Sequence, residues 1–162
     1  MPRLSLWAVV LTALVMITSC GDRASSEPRV SDIDDALAAV ESERGGPQRY
    51  FEVSADLTEV TVFVESDGGA TPYVYTDRQL VPGETVTGAT GATFTASAVT
   101  FAADRIFDRI RAELNDPAII DFAAQGGPDG AVVYDATVAS KSGGVLLVLL
   151  AADGEILGVQ GE

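Results

Sequence analysis

The 162-residue sequence contains no histidine and a single cysteine, Cys20. The first absence removes the imidazole that ordinarily serves as general base beside a serine or cysteine nucleophile, together with the usual zinc and copper ligand sets. The second removes any disulfide within the chain, so the domain must be held by its hydrophobic core alone. Basic residues are also scarce: ten Lys and Arg stand against 24 Asp and Glu, for a formal net charge of −14. Only seven of those ten lie beyond position 40, too few to form the basic patch that a phosphate backbone requires, which argues against nucleic acid as a partner. The same sign opposes electrostatic adhesion to anionic lipid, so membrane attachment must come from elsewhere. Tryptophan is represented by Trp7 alone and lysine by Lys141 alone.

What is present starts at the amino terminus. Arg3 precedes an almost unbroken apolar run over residues 4–17. A spanning helix needs roughly 20 apolar residues, so this run fits the hydrophobic region of a signal peptide rather than a permanent anchor. Ile17-Thr18-Ser19-Cys20 follows, and this tetrapeptide resembles the bacterial lipobox. The resemblance implies a signal peptide over residues 1–19, cleavage between Ser19 and Cys20, and a diacylglyceryl group on the Cys20 thiol. It also implies an address on the extracytoplasmic face of the cell membrane. Each buried methylene contributes roughly 0.8 kcal/mol, so two acyl chains on one residue hold a protein on the bilayer where one chain binds only reversibly. Cleavage would remove Trp7 and Arg3, leaving nine basic against 24 acidic side chains, a net −15. Residues 21–31 are polar, include Pro28 and lack apolar periodicity, so residues 20–31 read as the lipidated cysteine and a flexible tether.

The remainder, residues 32–162, reads as one α+β domain. Ser31 is placed as a helix N-cap, Asp32, Asp34 and Asp35 fall in the first turn, and Ile33, Leu37 and Val40 form an apolar stripe. Gly45-Gly46-Pro47 ends that helix. Strands are predicted over 49–55, 58–66 and 72–76, with a continuation at 79–81 and a hairpin turn at Asp67-Gly68-Gly69. After a Gly-, Thr- and Ala-rich stretch at 82–98, with residues 88–92 read as a flexible connection, the order recurs. A helix over 103–114 carries Ile106, Phe107, Ile110 and Leu114 on one face, and strands follow at 118–124, 131–140, 145–151 and 155–160. Because residues 145–150 are apolar at every position, they predict a central strand covered on both faces. The resulting fold class is an antiparallel sheet with two helices packed on one face. Both halves, 32–81 and 102–160, can be written α-β-β-β, each with an Asp-x-x-hydrophobic step after its third strand, so tandem duplication and independent α+β arrangement are both open readings.

This element order resembles PepSY-like modules and two-repeat inhibitor folds. The Ala-, Gly-, Val- and Asp-rich composition resembles that of uncharacterised lipoproteins of high-GC Gram-positive bacteria. The resemblance spans about residues 31–160, rests on order and composition, and transfers no functional residue.

A search for chemistry yields little. A Ser-Lys pair is formally available from Ser140 or Ser142 with Lys141, but the Ser142-Gly143-Gly144 sequence predicts an exposed turn. Paired carboxylates suit glycoside hydrolysis, yet the only tryptophan leaves with the leader. Asp67, Asp129 and Asp153 precede glycines, which predicts tight turns rather than a calcium loop. Tyr50, Phe51, Phe63, Tyr73 and Tyr75 cluster in the first three strands; core or edge packing is one reading of them, and the other makes Tyr50, Tyr73 and Tyr75 candidates for an interaction face. These readings predict a non-enzymatic protein without cofactor or metal, acting as a binding or interaction module of the cell envelope toward an envelope protein. The alternative is a carrier of an apolar or lipid ligand held between the helices and residues 145–150, and an envelope hydrolase stands third.

Overall fold

The computed structural model describes residues 26–141 and 143–161. The predicted leader, Ser19, Cys20, the first part of the tether and Ser142 lie outside the described residues. Helix α1 (Ile33–Arg44) is followed by β1 (Tyr50–Asp56), β2 (Val60–Ser66), β3 (Gly69–Thr76), β4 (Gln79–Pro82) and the short β5 (Val86–Thr87). Helix α2 (Ala103–Glu113) then leads into β6 (Ala118–Gly126), β7 (Val132–Ala139), β8 (Val145–Leu150) and β9 (Ile156–Gly161). All strands join one sheet in the order β4-β3-β2-β1-β6-β7-β8-β9, with β5 beside β3, and all pairs are antiparallel. Each half therefore contributes a helix and four strands in a row. The two Asp-x-x-hydrophobic steps are the turns into β4 and β9, the outermost strands. Asp77 and Arg78, both at positive φ, supply the mirror-image turn that matches strand twist in a two-residue hairpin. The halves meet first strand to first strand, with Ser54 of β1 opposite Ala123 of β6.

Alternation with period two puts one face of this sheet in the core. Val53 and Ala55, Val60, Val62 and Val64, Phe122 and Ala124, Tyr134, Ala136 and Val138, and Val148 and Leu150 are all buried there. Over them lie Ile33, Leu37 and Val40 of α1 and Ile106, Phe107 and Ile110 of α2, as expected from the sequence, joined by Ala36 and by a partly buried Leu114. The Phe122 ring sits 4.9 Å from Phe101, 5.9 Å from Tyr134 and 6.0 Å from Phe107. These four rings pack together between α2 and the sheet. Tyr134 closes the cluster by accepting from the Thr100 N–H at 2.8 Å and donating to the Thr100 carbonyl at 2.9 Å.

Two local expectations change, and a segment left open by the sequence is placed. Ser31 is not the N-cap of α1: a 3-10 turn over Val30–Asp32 runs into the helix, Asp32 takes the cap position in helical backbone geometry, and no side chain caps it. The Asp32 carboxylate is held instead by Arg29 Nε at 2.7 Å. Residues 145–150 do not form a central strand covered on both faces, because β8 lies one strand from the sheet edge and Leu147 and Leu149 are only half-buried. The 82–98 segment is tied down: Phe94 exchanges two backbone hydrogen bonds with Tyr50 at 2.9 Å, and Arg49 holds Thr93 through its hydroxyl and carbonyl at 2.8 and 2.9 Å. Residues at the end of the tether also touch the fold. Pro28 is buried, the Arg29 N–H donates to the Asp56 carbonyl at 2.8 Å, and Glu27 pairs with Arg111.

The strap at 84–94 crosses so near β6 that a Cβ on Gly126 would lie 2.1 Å from the Ala92 carbonyl oxygen. That oxygen belongs to backbone and cannot rotate away. Gly126→Val is therefore expected to lower stability by about 1–3 kcal/mol, read as a reduced urea midpoint, whereas Gly158→Ala, whose Cβ would meet only the Leu149 Cδ1 at an ordinary 3.8 Å, changes it less.

Candidate functional site

The second parity of each strand points to the side that neither helix covers. Register lines these residues into rows. Phe63 of β2, Glu52 of β1, Gln125 of β6 and Val133 of β7 form one row. Thr61, Ser54, Ala123, Asp135, Leu149 and Gly158 form the next, and Asp56, Asp121, Thr137, Leu147 and Gln160 the third. Because Ser54 and Ala123 are paired and carry small side chains between longer neighbours in the rows on either side, the register leaves a shallow recess over them. Glu52 and Gln125 stand on one side of it, Asp56 and Asp121 on the other, and Asp135 at its end.

Among the described residues no strand contains a lysine or an arginine. All five acids that the strands do contain, Glu52, Asp56, Glu65, Asp121 and Asp135, take the parity of this open face. Among the described residues, Glu65 is met by Arg49 at 3.7 Å, but no cation pairs with Glu52, Asp121 or Asp135. Asp135 is only 7% exposed and accepts from Gln125 Nε2 at 3.0 Å. Burial, reinforced by the charges of Glu52 and Asp121, pushes its carboxyl up to about 6. Burial and the neighbouring Glu52 and Asp56 push Asp121 up to about 6 as well. Glu52 is raised by burial, which outweighs a hydrogen bond from Ser54. Asp56 goes the other way: burial raises it, but the Thr58 N–H and hydroxyl and the Glu59 N–H, at 2.6, 2.8 and 2.8 Å, together hold it below the usual range.

Beside the carboxylates lies an apolar cleft of about 290 Å³, lined by Phe51, Glu52, Phe63, Ala70, Val86 and the strap at Ala89 and Thr90. A bulge between Tyr50 and Glu52 creates it, because the extra residue lets Phe51 and Glu52 escape strict alternation and both serve the open side.

The tyrosines proposed from the sequence do not form an exposed face. Tyr50, Tyr73 and Tyr75 are 0%, 5% and 8% exposed and share the parity of Val62 and Val64, so they lie under α1. The Tyr50 hydroxyl points at Glu41 Oε1, 3.4 Å away, and burial raises its pKa. The aromatic groups that reach the open face are Phe51 and Phe63. Lys141 Nζ donates to Asp116 Oδ2 at 2.8 Å, and Asp153 Oδ1 accepts from the Glu155 N–H at 3.1 Å as a turn aspartate does. Among the described residues no group of three acidic or cysteine side chains is disposed to hold a metal ion. Sequence reasoning misses Glu52, Asp121 and Asp135 as a group, although one signal is legible: apart from Arg49 at the start of the first, the predicted strand segments lack a basic residue while several carry a carboxylate opposite the buried parity.

These features define a helix-backed, single-sheet α+β protein with an open acidic face. The same fold occurs in the crystal structure of a candidate lipoprotein from Clostridium difficile 630, with a TM-score of 0.58 over 87% of this chain and 97% of that one, at 10% sequence identity. No protein family and no curated protein matches the sequence. Among the described residues no helix is long and apolar enough to cross a membrane.

Proposed function

We propose that the chain is a lipid-anchored module on the extracytoplasmic face of the cell membrane, and that it meets a protein partner through the open face of its sheet. The observation that carries the docking reading is the uncovered face itself, where half-buried Phe51, Phe63, Leu147 and Leu149 surround a recess of carboxylates. Apolar side chains left on a sheet face that no helix covers, here on either side of a charged centre, are a mark of an interaction surface. The anchor reading is supported by the Ile17-Thr18-Ser19-Cys20 sequence and is in keeping with the fold shared with a candidate lipoprotein. From Cys20 to Glu27, seven residues span at most about 24 Å when extended, which keeps the domain close to the headgroups.

Cys20→Ser is expected to abolish incorporation of labelled palmitate and to move the protein out of the membrane fraction; a variant that is processed and retained like the parent rules the anchor out. For the docking face, a photo-reactive amino acid at Leu149 is expected to cross-link in intact cells well above one at Glu43, on the helix side. Equal yields from both positions would count against the open face.

A further inference from the structure

We propose that the partner segment received by this face is basic: an arginine or lysine side chain of a polypeptide seats over Ser54 and Ala123 among Glu52, Asp121 and Asp135, while an adjacent apolar side chain enters the Phe51–Phe63 cleft. This inference rests on the docking reading above and adds the chemistry of the partner.

Charge complementarity carries it. The groups facing the recess are Glu52 and Asp56 from β1, Asp121 from β6 and Asp135 from β7, while β8 and β9 contribute none. Arg49, just before β1, is engaged by Glu65 and Thr93. Asp56 and Asp121 are directly opposed across neighbouring strands, an arrangement of like charges that weakens a sheet. Asp121 and Asp135 stand on a diagonal of the β6–β7 pair, roughly 7–8 Å apart at their backbones, a span that one guanidinium can bridge with charge-assisted hydrogen bonds. A bound cation thus relieves a repulsion that the chain itself leaves uncompensated. The cleft next to Glu52 adds the second half of the recognition, since its walls are Phe51, Phe63, Ala70, Val86 and Ala89. The pairing of a cation recess with an apolar cleft along successive rows suits an extended segment that alternates the two chemistries.

The probe is a blocked peptide of alternating Arg and Leu, compared with its Gln-Leu counterpart and with spermidine, titrated against the purified full-length protein in detergent micelles and followed by amide NMR shifts. The Arg-Leu peptide is expected to move β1, β6 and β7 resonances and to bind at least about tenfold more tightly than the Gln-Leu peptide. Binding should weaken with added salt and below pH 6. A combined Glu52→Gln, Asp121→Asn, Asp135→Asn variant, shown folded by its unchanged dispersed spectrum, should lose that preference. Equal affinity for both peptides, absence of binding by the Arg-Leu peptide, or an unaltered preference in the variant overturns the proposal. Spermidine binding as tightly as the peptide overturns the polypeptide assignment in favour of a polyamine site. Should cross-linking from Leu149 instead capture a segment without Lys or Arg, the docking face stands and the basic partner falls.

Discussion

Replacing Phe122 by alanine is expected to lower stability by about 3–5 kcal/mol. The ring is fully buried and touches Phe101, Phe107 and Tyr134 at centroid distances of 4.9, 6.0 and 5.9 Å. Those neighbours come from the α2 approach, from α2 itself and from β7, so the lost side chain leaves a void shared by three elements. Tyr134 is fixed by two hydrogen bonds to Thr100, and Phe107 by the helix, which limits collapse into the void. The loss therefore belongs at the upper end of large-to-small substitutions. Phe51→Ala, on the open face, removes a ring of similar size that is only half-buried and should cost much less. Urea denaturation of the two variants side by side checks this, and comparable midpoints would show that the ring cluster does not join α2 to the sheet.

Stability is also expected to fall as pH rises from about 4 to 7, the reverse of the usual behaviour of a carboxylate in a salt bridge. Asp121 and Asp135 are raised from 3.8 to about 6 in the folded protein. Between those values the folded chain binds more protons than the unfolded one, and stability declines with pH wherever that holds. Their favourable contribution is thus complete below the unfolded value and is lost as pH climbs through about 6. Glu52, also raised, acts in the same direction. Asp56 is lowered, so its effect is the opposite and lies below that window. A tenfold change in proton affinity between the folded and unfolded chain corresponds to about 1.4 kcal/mol. Because Asp121 contributes to raising Asp135, the two effects do not add in full, and the pair is expected to cost about 2–4 kcal/mol at pH 7. Asp121→Asn combined with Asp135→Asn should recover most of that and flatten the profile, since an amide oxygen at 135 still accepts from Gln125. A parent protein whose urea midpoint rises steadily between pH 4.5 and 7 would mean that these carboxyls are not buried as described. Lost stability at an unpaired cluster is what a surface shaped for a partner commonly shows.

Periodicity carries most of the architecture because burial here follows parity. Ile33, Leu37 and Val40, Ile106, Phe107 and Ile110, and the valines of β2 can be assigned to the core from spacing alone. Two kinds of information are illegible. The bulge at Tyr50–Glu52 inverts the parity of β1, and no local pattern announces an inserted residue, so spacing does not tell which of the adjacent Tyr50 and Phe51 faces the core. The all-apolar run at 145–150 yields the right element and the wrong surroundings, since composition does not distinguish a strand sandwiched by two layers from one whose outer leucines await a partner. The carboxylate recess depends on register between β1, β6 and β7. Some 60 residues separate β1 from β6, and register of that range is set by the whole sheet.

The seam between β1 and β6 has a consequence for what the surface can become. A chain of half this length, with one helix and four strands, would leave that inner edge bare and could satisfy it only by mating with an identical copy, which imposes the same residues on both sides of the axis. Covalent fusion removes both the dependence on concentration and the symmetry. Glu52 with Phe63 in one half, and Asp121 with Asp135 and Leu147 in the other, are free to differ, so the two sides of the open face need not match although both halves share one element order.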